Sequence, residues 1–165
     1  MQNKIEYKVI VDTREKNIEH IIKAFEKNNI KYERRSLAIG DYIVEGLGGY
    51  VPNIVIERKA SIDEIIGNLL DRATRDENGN NRFIRELIRA KRANKKFILL
   101  IEDGKFYTNL VTGNYRSKVN PKAAKGMILS LESKFRNLNI VWMEKREVAS
   151  YIHSILYYCL REDLK

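Results

Sequence analysis

Three consecutive charged residues end an apolar segment of this chain. Val55 and Ile56 are typical of a buried strand, yet Glu57, Arg58 and Lys59 follow them directly. Side chains alternate between the two faces of a strand, so Glu57 and Lys59 should share one face and Arg58 should lie on the other. The segment therefore predicts a carboxylate and an ammonium group side by side at the end of a buried strand.

A second acid, Asp41, begins the segment "DYIVEG", which is joined to "YVPNIVIER" through Leu47-Gly48-Gly49. This pattern predicts a β-hairpin that brings Asp41 opposite residue 56 or 57. Two close carboxylates repel unless a cation lies between them, and Mg²⁺ suits such oxygen ligands. Lys59 could then position or activate a water molecule on the ion, a nucleophile for phosphodiester hydrolysis. Solvated salt bridges at a strand end would explain the same residues, and both interpretations stay open.

Three further acids belong to neighbouring segments. Asp12 and Glu15 lie in "VDTRE" at the carboxyl end of the first predicted strand, where open α/β sheets tend to bind ligands. Asp12 can add a carboxylate to the site, and Glu15 can begin the next helix. Asp63 falls in the first turn of a helix predicted to begin at Ser61, because Ser61 and Glu64 form a capping box. A carboxylate there also compensates for the helix dipole, so a structural and a catalytic role remain open for Asp63.

The periodicity of apolar residues predicts a mixed α/β domain. Strands are predicted over 5–13, 30–37, 41–46, 50–58, 95–103 and 139–143. Helices are predicted over 17–29, 61–73, 82–94, 121–138 and 147–163, with a polar loop at 74–81 and a turn-rich stretch at 104–120. The last helix should bury Val148, Ile152, Ile155, Leu156 and Cys159. These elements indicate one mixed sheet with helices on both faces.

Composition restricts the class of protein. The 165 residues suit a single domain. Lys and Arg outnumber Asp and Glu by 31 to 22, and the net charge of +9 favours a polyanionic partner, although solubility alone can explain it. The single cysteine, the lack of a signal peptide and the lack of any ~18-residue apolar run predict a cytoplasmic protein without a membrane span. No phosphate-binding loop is present, so we expect no small-molecule cofactor.

One predicted helix is strongly basic. In "RFIRELIRAKRANKK", cations recur at steps of three and four and should form one stripe: Arg82, Arg85, Arg89, Arg92 and Lys96. Such a stripe could follow DNA phosphates without reading the base sequence, or be an ordinary solvated face. In the turn-rich stretch, Tyr107 and Tyr115 lie among Arg116, Lys118 and Lys122, so they could stack on unpaired nucleotides.

In order along the chain, G-D at 40–41, E-R-K at 57–59 and D at 63 resemble the signature of XPF-type structure-specific endonucleases. "VDTRE", "RFIREL" and "FILLIED" are similar to flanking segments of that family. The resemblance implies a restriction-endonuclease-like mixed central sheet flanked by helices. It also implies Mg²⁺ or Mn²⁺, cleavage of one strand of DNA near branched or single-strand/duplex junctions, and a role in DNA repair.

The resemblance also implies roles for individual residues. Asp41 and Glu57 would be metal ligands, with Asp12 supporting the metal site as a further ligand, and Lys59 would act on the nucleophilic water. Arg14, Arg58 and Asp63 would hold the site and the scissile phosphate, with Arg14 as a DNA contact.

The family usually carries a helix-hairpin-helix module and often a helicase module. We expect neither here, as in small versions from phage and bacterial genomes. Two alternatives are a non-catalytic DNA-binding scaffold and a resolvase-like homodimer. The second would use the tyrosines of the last helix (Tyr151, Tyr157 and Tyr158) as its interface.

Overall fold

The computed structural model describes residues 5–165, in which six strands and six helices form. Strands β1–β6 span Tyr7–Val11, Tyr32–Arg34, Tyr42–Gly46, Ile54–Lys59, Lys96–Ile101 and Leu138–Trp142. Helices α1–α6 span Glu19–Lys27, Ile62–Leu70, Arg82–Arg92, Phe106–Thr112, Pro121–Lys134 and Lys145–Asp163. The strands form one sheet in the order β2-β1-β3-β4-β5-β6. The predicted mixed α/β fold is confirmed. Within residues 5–165, no helix is long and apolar enough to span a bilayer.

One compact unit comprises the described residues through Ile56 together with Arg146–Lys165. Its strand β1 pairs in parallel with β2 and antiparallel with β3, where Val9 lies opposite Val44. Val9, Ile10 and Val11 are all fully buried. Successive residues of a strand face opposite sides, so both faces of β1 are covered.

The second compact unit comprises residues 57–145. Its strands β5 and β6 are parallel, with Leu99 opposite Ile140. Helix α3 packs on β5 and α5 packs on β6. The buried residues Phe83, Leu87 and Ala90 recur at helical spacing along α3. The apolar residues that predicted this helix therefore form the face that it buries.

The turn chemistry of the sequence is confirmed at two places. Leu47–Gly49 forms the hairpin turn, in which Gly48 has a φ of 70°. Ser61 caps α2, because its Oγ accepts a hydrogen bond from the Glu64 N–H (3.3 Å). The Glu64 carboxylate accepts the Ala60 N–H (2.7 Å), one residue before the position that a standard capping box uses.

One helix was missed in the sequence, and several predicted elements have different bounds in the structure. The turn-rich stretch contains α4, because Phe106 and Leu110 lie four residues apart and both become fully buried. The helix predicted over 121–138 ends at Lys134, since Phe135 has an extended backbone and Leu138 begins β6. Glu15 does not begin α1, which starts four residues later; its carboxylate accepts the Tyr42 hydroxyl instead (2.6 Å).

The inward face of α6 also differs from the prediction. Val148, Ile152 and Leu156 are buried as expected, but Ile155 and Cys159 are only half-buried. Ala149 and Leu160 are buried instead, and Leu160 lies 3.1 Å from the position that a Cβ on Gly46 would take. The missing side chain of Gly46 therefore makes room for the helix.

Candidate active site

The charged end of β4 is buried. Glu57, Arg58 and Lys59 are 7%, 4% and 6% exposed. Lys59 Nζ donates a hydrogen bond to Glu57 Oε1 at 2.7 Å, which confirms that these two side chains share a face of the strand. Charged groups are rarely buried to this extent unless they are paired. The interpretation as solvated salt bridges is therefore wrong for this strand end.

Lys59 also contacts an aromatic ring. Its Nζ lies 5.2 Å from the centre of the Phe83 ring, within the range of a cation–π interaction. Phe83 is the second residue of α3 and is buried. The amino group is thus held between the Glu57 carboxylate and an aromatic face, which fixes its position at the strand end.

Arg58 points away from this pair, as strand alternation requires. It donates a hydrogen bond to Glu102 Oε2 at 3.0 Å, and both side chains are almost completely buried. Glu102 directly follows β5 and was not recognised in the sequence. An acid next to the apolar run "FILLI" was the available signal, but nothing in the sequence pairs it with a residue 44 positions earlier.

Asp12 is fully buried, and both of its carboxylate oxygens accept hydrogen bonds. Oδ1 accepts from the backbone N–H and the Nε of Arg14, both at 2.8 Å. Oδ2 accepts from Arg14 Nη2 (3.1 Å) and from the Leu37 N–H (2.7 Å). Burial by itself would raise the pKa of the Asp12 carboxyl, but these hydrogen bonds outweigh it and hold the pKa below its ordinary value. Asp12 is thus a charged anchor for the segment around Leu37.

The backbone of Asp41 is fixed by two hydrogen bonds, while its side chain is half-buried. Its carbonyl accepts the Asp12 N–H, and its N–H donates to the Ile56 carbonyl, both at 2.8 Å. Gly40 precedes it with a φ of +72°, and a Cβ there would lie 2.1 Å from Val55 Cγ2. Only glycine fits at that position, which is the physical reason for the G-D pair. Ile56, in turn, is the residue before Glu57 in the sequence.

Asp63 lies in the first turn of α2 and is half-buried. Its Oδ1 accepts the Arg116 N–H at 2.7 Å, and its Oδ2 lies 3.7 Å from the Arg116 guanidinium, whose side chain is 93% exposed. Asp63 therefore ties the segment after α4 to the start of α2. Its role at the scissile phosphate stays a prediction.

The predicted basic stripe is only partly a row of exposed cations. Arg82, Arg89 and Arg92 are exposed on α3. Arg85 is half-buried and donates hydrogen bonds to the Thr74 and Asn80 carbonyls (2.6 and 2.8 Å), so it holds the loop before the helix. Lys96 is exposed but begins β5, so the prediction that it continues the helical stripe is wrong.

Comparison with known proteins identifies the family. A family model described as the ERCC4 domain matches residues 11–155. The structure of XPF from Aeropyrum pernix is similar to this chain, with a TM-score of 0.66 and 18% sequence identity. The match covers 92% of this chain and 66% of the archaeal chain, slightly less than two thirds of its length. No curated protein sequence matches the chain. The chain therefore belongs to the ERCC4 domain family, which confirms the predicted XPF-type nuclease domain.

Proposed function

We propose that this domain is a DNA endonuclease that depends on a divalent metal ion. The observation that carries the proposal is the buried pair of Glu57 and Lys59 at the end of β4 (2.7 Å). Replacing a buried ion pair with apolar residues is often neutral or stabilising, so such a pair is weak evidence for a role in stability. A carboxylate and an amine held together in a nuclease-type domain are instead suited to phosphodiester hydrolysis.

Asp41 and Glu57 would hold the ion, Mg²⁺ or Mn²⁺. Carboxylate oxygens are suitable donors, and Mg²⁺ commonly uses only one or two carboxylates together with water and substrate phosphate oxygens. When bound, the ion would acidify a water molecule and offset the charge of the phosphate. The donor chemistry of the two residues fits this requirement.

Asp12 has a different part in the proposal. Its carboxylate accepts hydrogen bonds from Arg14 and Leu37, and its N–H donates to the Asp41 carbonyl. We assign it to holding the backbone of Asp41 in place rather than to direct ligation. Arg14 would neutralise Asp12 and contact DNA with the exposed part of its side chain.

Lys59 would act through its ammonium group. An ammonium carries three N–H donors, so Nζ can donate to Glu57 and still hold a substrate oxygen or the attacking water. Arg58 would fix the strand end through its ion pair with Glu102. The exposed cations Arg82, Arg89 and Arg92 would bind DNA phosphates without sequence preference, in keeping with the net charge of +9.

A second function, a non-catalytic DNA-binding scaffold, is compatible with the partners that Asp12 and Glu57 have within the protein. Arg14 donates a hydrogen bond to Asp12, and Lys59 forms an ion pair with Glu57. In a scaffold, the pairs formed by Asp12 and by Glu57 would serve only to hold the chain together.

A cleavage panel distinguishes the two functions. Labelled flap, fork, nicked, duplex and single-stranded DNA are each incubated with Mg²⁺, Mn²⁺ or EDTA. If the domain is an endonuclease, we expect cleavage of one strand near the junction in Mg²⁺ or Mn²⁺ and no cleavage in EDTA. Tight binding to all substrates without cleavage in either metal would instead identify a scaffold.

A further inference from the structure

Two large aromatic side chains are exposed next to each other on the second unit. Tyr107, in the first turn of α4, is 45% exposed, and Trp142, the last residue of β6, is 40% exposed. Their rings are nearly parallel, with an interplanar angle of 18° and centroids 6.3 Å apart. The fully buried Phe106 supports Trp142 from within, with centroids 5.5 Å apart. The two rings thus form an exposed aromatic surface that is supported by the buried Phe106.

This surface lies at the same edge of the sheet as the buried charges of β4. The Glu102 N–H donates to the Lys59 carbonyl (2.9 Å), and Ile101 lies opposite Trp142. The carboxyl ends of β4, β5 and β6 therefore meet at one edge. Adjacent strands are about 4.8 Å apart, so the backbones of Lys59 and Trp142 are separated by about 10 Å.

Charged residues of both signs lie close in sequence to the aromatic pair. Lys105 is an exposed cation two residues before Tyr107. Glu144 follows Trp142 by two residues, and its carboxylate packs so closely on Gly104 that a Cβ there would be 2.0 Å from Oε1. A ligand held by charge alone would gain little here, whereas every nucleobase has a π-face that can stack on an aromatic ring.

We propose that Tyr107 and Trp142 form a stacking site for an unpaired nucleobase of the DNA strand that reaches the candidate active site. The inference rests on the proposed function, because the nuclease substrate supplies the strand. A base within a duplex is already stacked on both sides, whereas a base beside a junction can present a free face. The site would therefore favour cleavage next to unpaired nucleotides.

Trp142 is the only tryptophan of the chain, so its fluorescence reports this site directly. We would titrate the protein in EDTA with single-stranded oligothymidylate and with an oligonucleotide of equal length that lacks bases. The proposal predicts saturable quenching by oligothymidylate and much weaker quenching by the abasic strand. Tyr107→Ala should weaken oligothymidylate binding roughly 5- to 150-fold. The matched control Tyr158→Ala, at an exposed tyrosine of α6, should bind like the wild type.

Equal quenching by both strands, or unchanged binding by Tyr107→Ala, would overturn the proposal. Loss of self-association in Trp142→Ala, seen by sedimentation and without any loss of DNA binding, would also overturn it and identify a protein interface instead. The titration contains no divalent metal, so it can be interpreted whether or not the protein cleaves DNA. Base-dependent quenching in a protein that cleaves nothing would leave the stacking site standing and refute only the endonuclease.

Discussion

Removing one partner of the buried ion pair between Arg58 and Glu102 should destabilise the protein strongly. The two side chains are 4% and 6% exposed. Removing one partner leaves the other charge buried without its counterion, which typically costs about 3–5 kcal/mol. We therefore expect Arg58→Met, which keeps the length of the apolar stem, to lower the free energy of unfolding by that amount. For a chain of this size, the melting temperature should fall by about 6–20 °C.

A double-mutant cycle tests the cause of this loss. Urea unfolding, followed by far-ultraviolet circular dichroism, is measured for the wild type, Arg58→Met, Glu102→Leu and the double variant. The double variant contains no lone buried charge, so it should be more stable than at least one of the single variants. Arg161→Met serves as the control, because the Arg161–Glu162 pair is exposed and should contribute less than about 1 kcal/mol.

Two results would refute this reasoning. A loss below about 1 kcal/mol in Arg58→Met would mean that solvent reaches the pair. A double variant whose loss equals the sum of the two single losses would mean that Arg58 and Glu102 do not stabilise each other.

Three further changes test other parts of the structure. Asp12→Asn should lower the free energy of unfolding by about 1–3 kcal/mol at pH 7, because an amide cannot accept all the hydrogen bonds that the carboxylate receives. The native pKa of Asp12 lies below the unfolded value of about 3.9, so its contribution is complete above that value and is lost as the pH falls through the native pKa. Urea unfolding at pH 7 and pH 3 should accordingly show a smaller difference from wild type at pH 3, and an equal difference would contradict this account. Gly40→Ala should lower the free energy of unfolding by more than about 1 kcal/mol in the same assay. Gly67→Ala, at an open position within α2, should raise it by up to about 1 kcal/mol. Ser61→Ala should cost about 1 kcal/mol through loss of the helix cap, and an unchanged midpoint would show that the cap contributes nothing.

Local patterns predicted most of the fold. Apolar residues at helical spacing identified α3, and Ser61 with Glu64 identified the start of α2. Each signal depends on residues only a few positions apart, and each agrees with the burial that the structure shows. Helix α4 was missed because it has only seven residues and lies among turn-forming residues, and packing of Phe106 and Leu110 into the core stabilises it.

Only the part of the candidate site that depends on neighbouring residues was predictable from the sequence. Strand alternation was sufficient to place Glu57 and Lys59 together. The partners of Arg58 and Asp12 were not predictable, because Glu102 and Leu37 are 44 and 25 positions away and reach them only through strand order and loop path. The pairing of Tyr107 with Trp142 likewise depends on where α4 packs beside β6.

We propose that the carboxylates of Asp41 and Glu57 and the amine of Lys59 perform metal-dependent cleavage. The most direct measurement is the rate of Mg²⁺-dependent cleavage of a labelled flap by wild type, Asp41→Asn and Lys59→Ala, with folding of each checked by circular dichroism. Lys125→Ala, at an exposed lysine of α5, is the matched control. We predict that both site variants lose cleavage while the control keeps it. A folded Asp41→Asn or Lys59→Ala that cleaves at the wild-type rate would contradict the assignment.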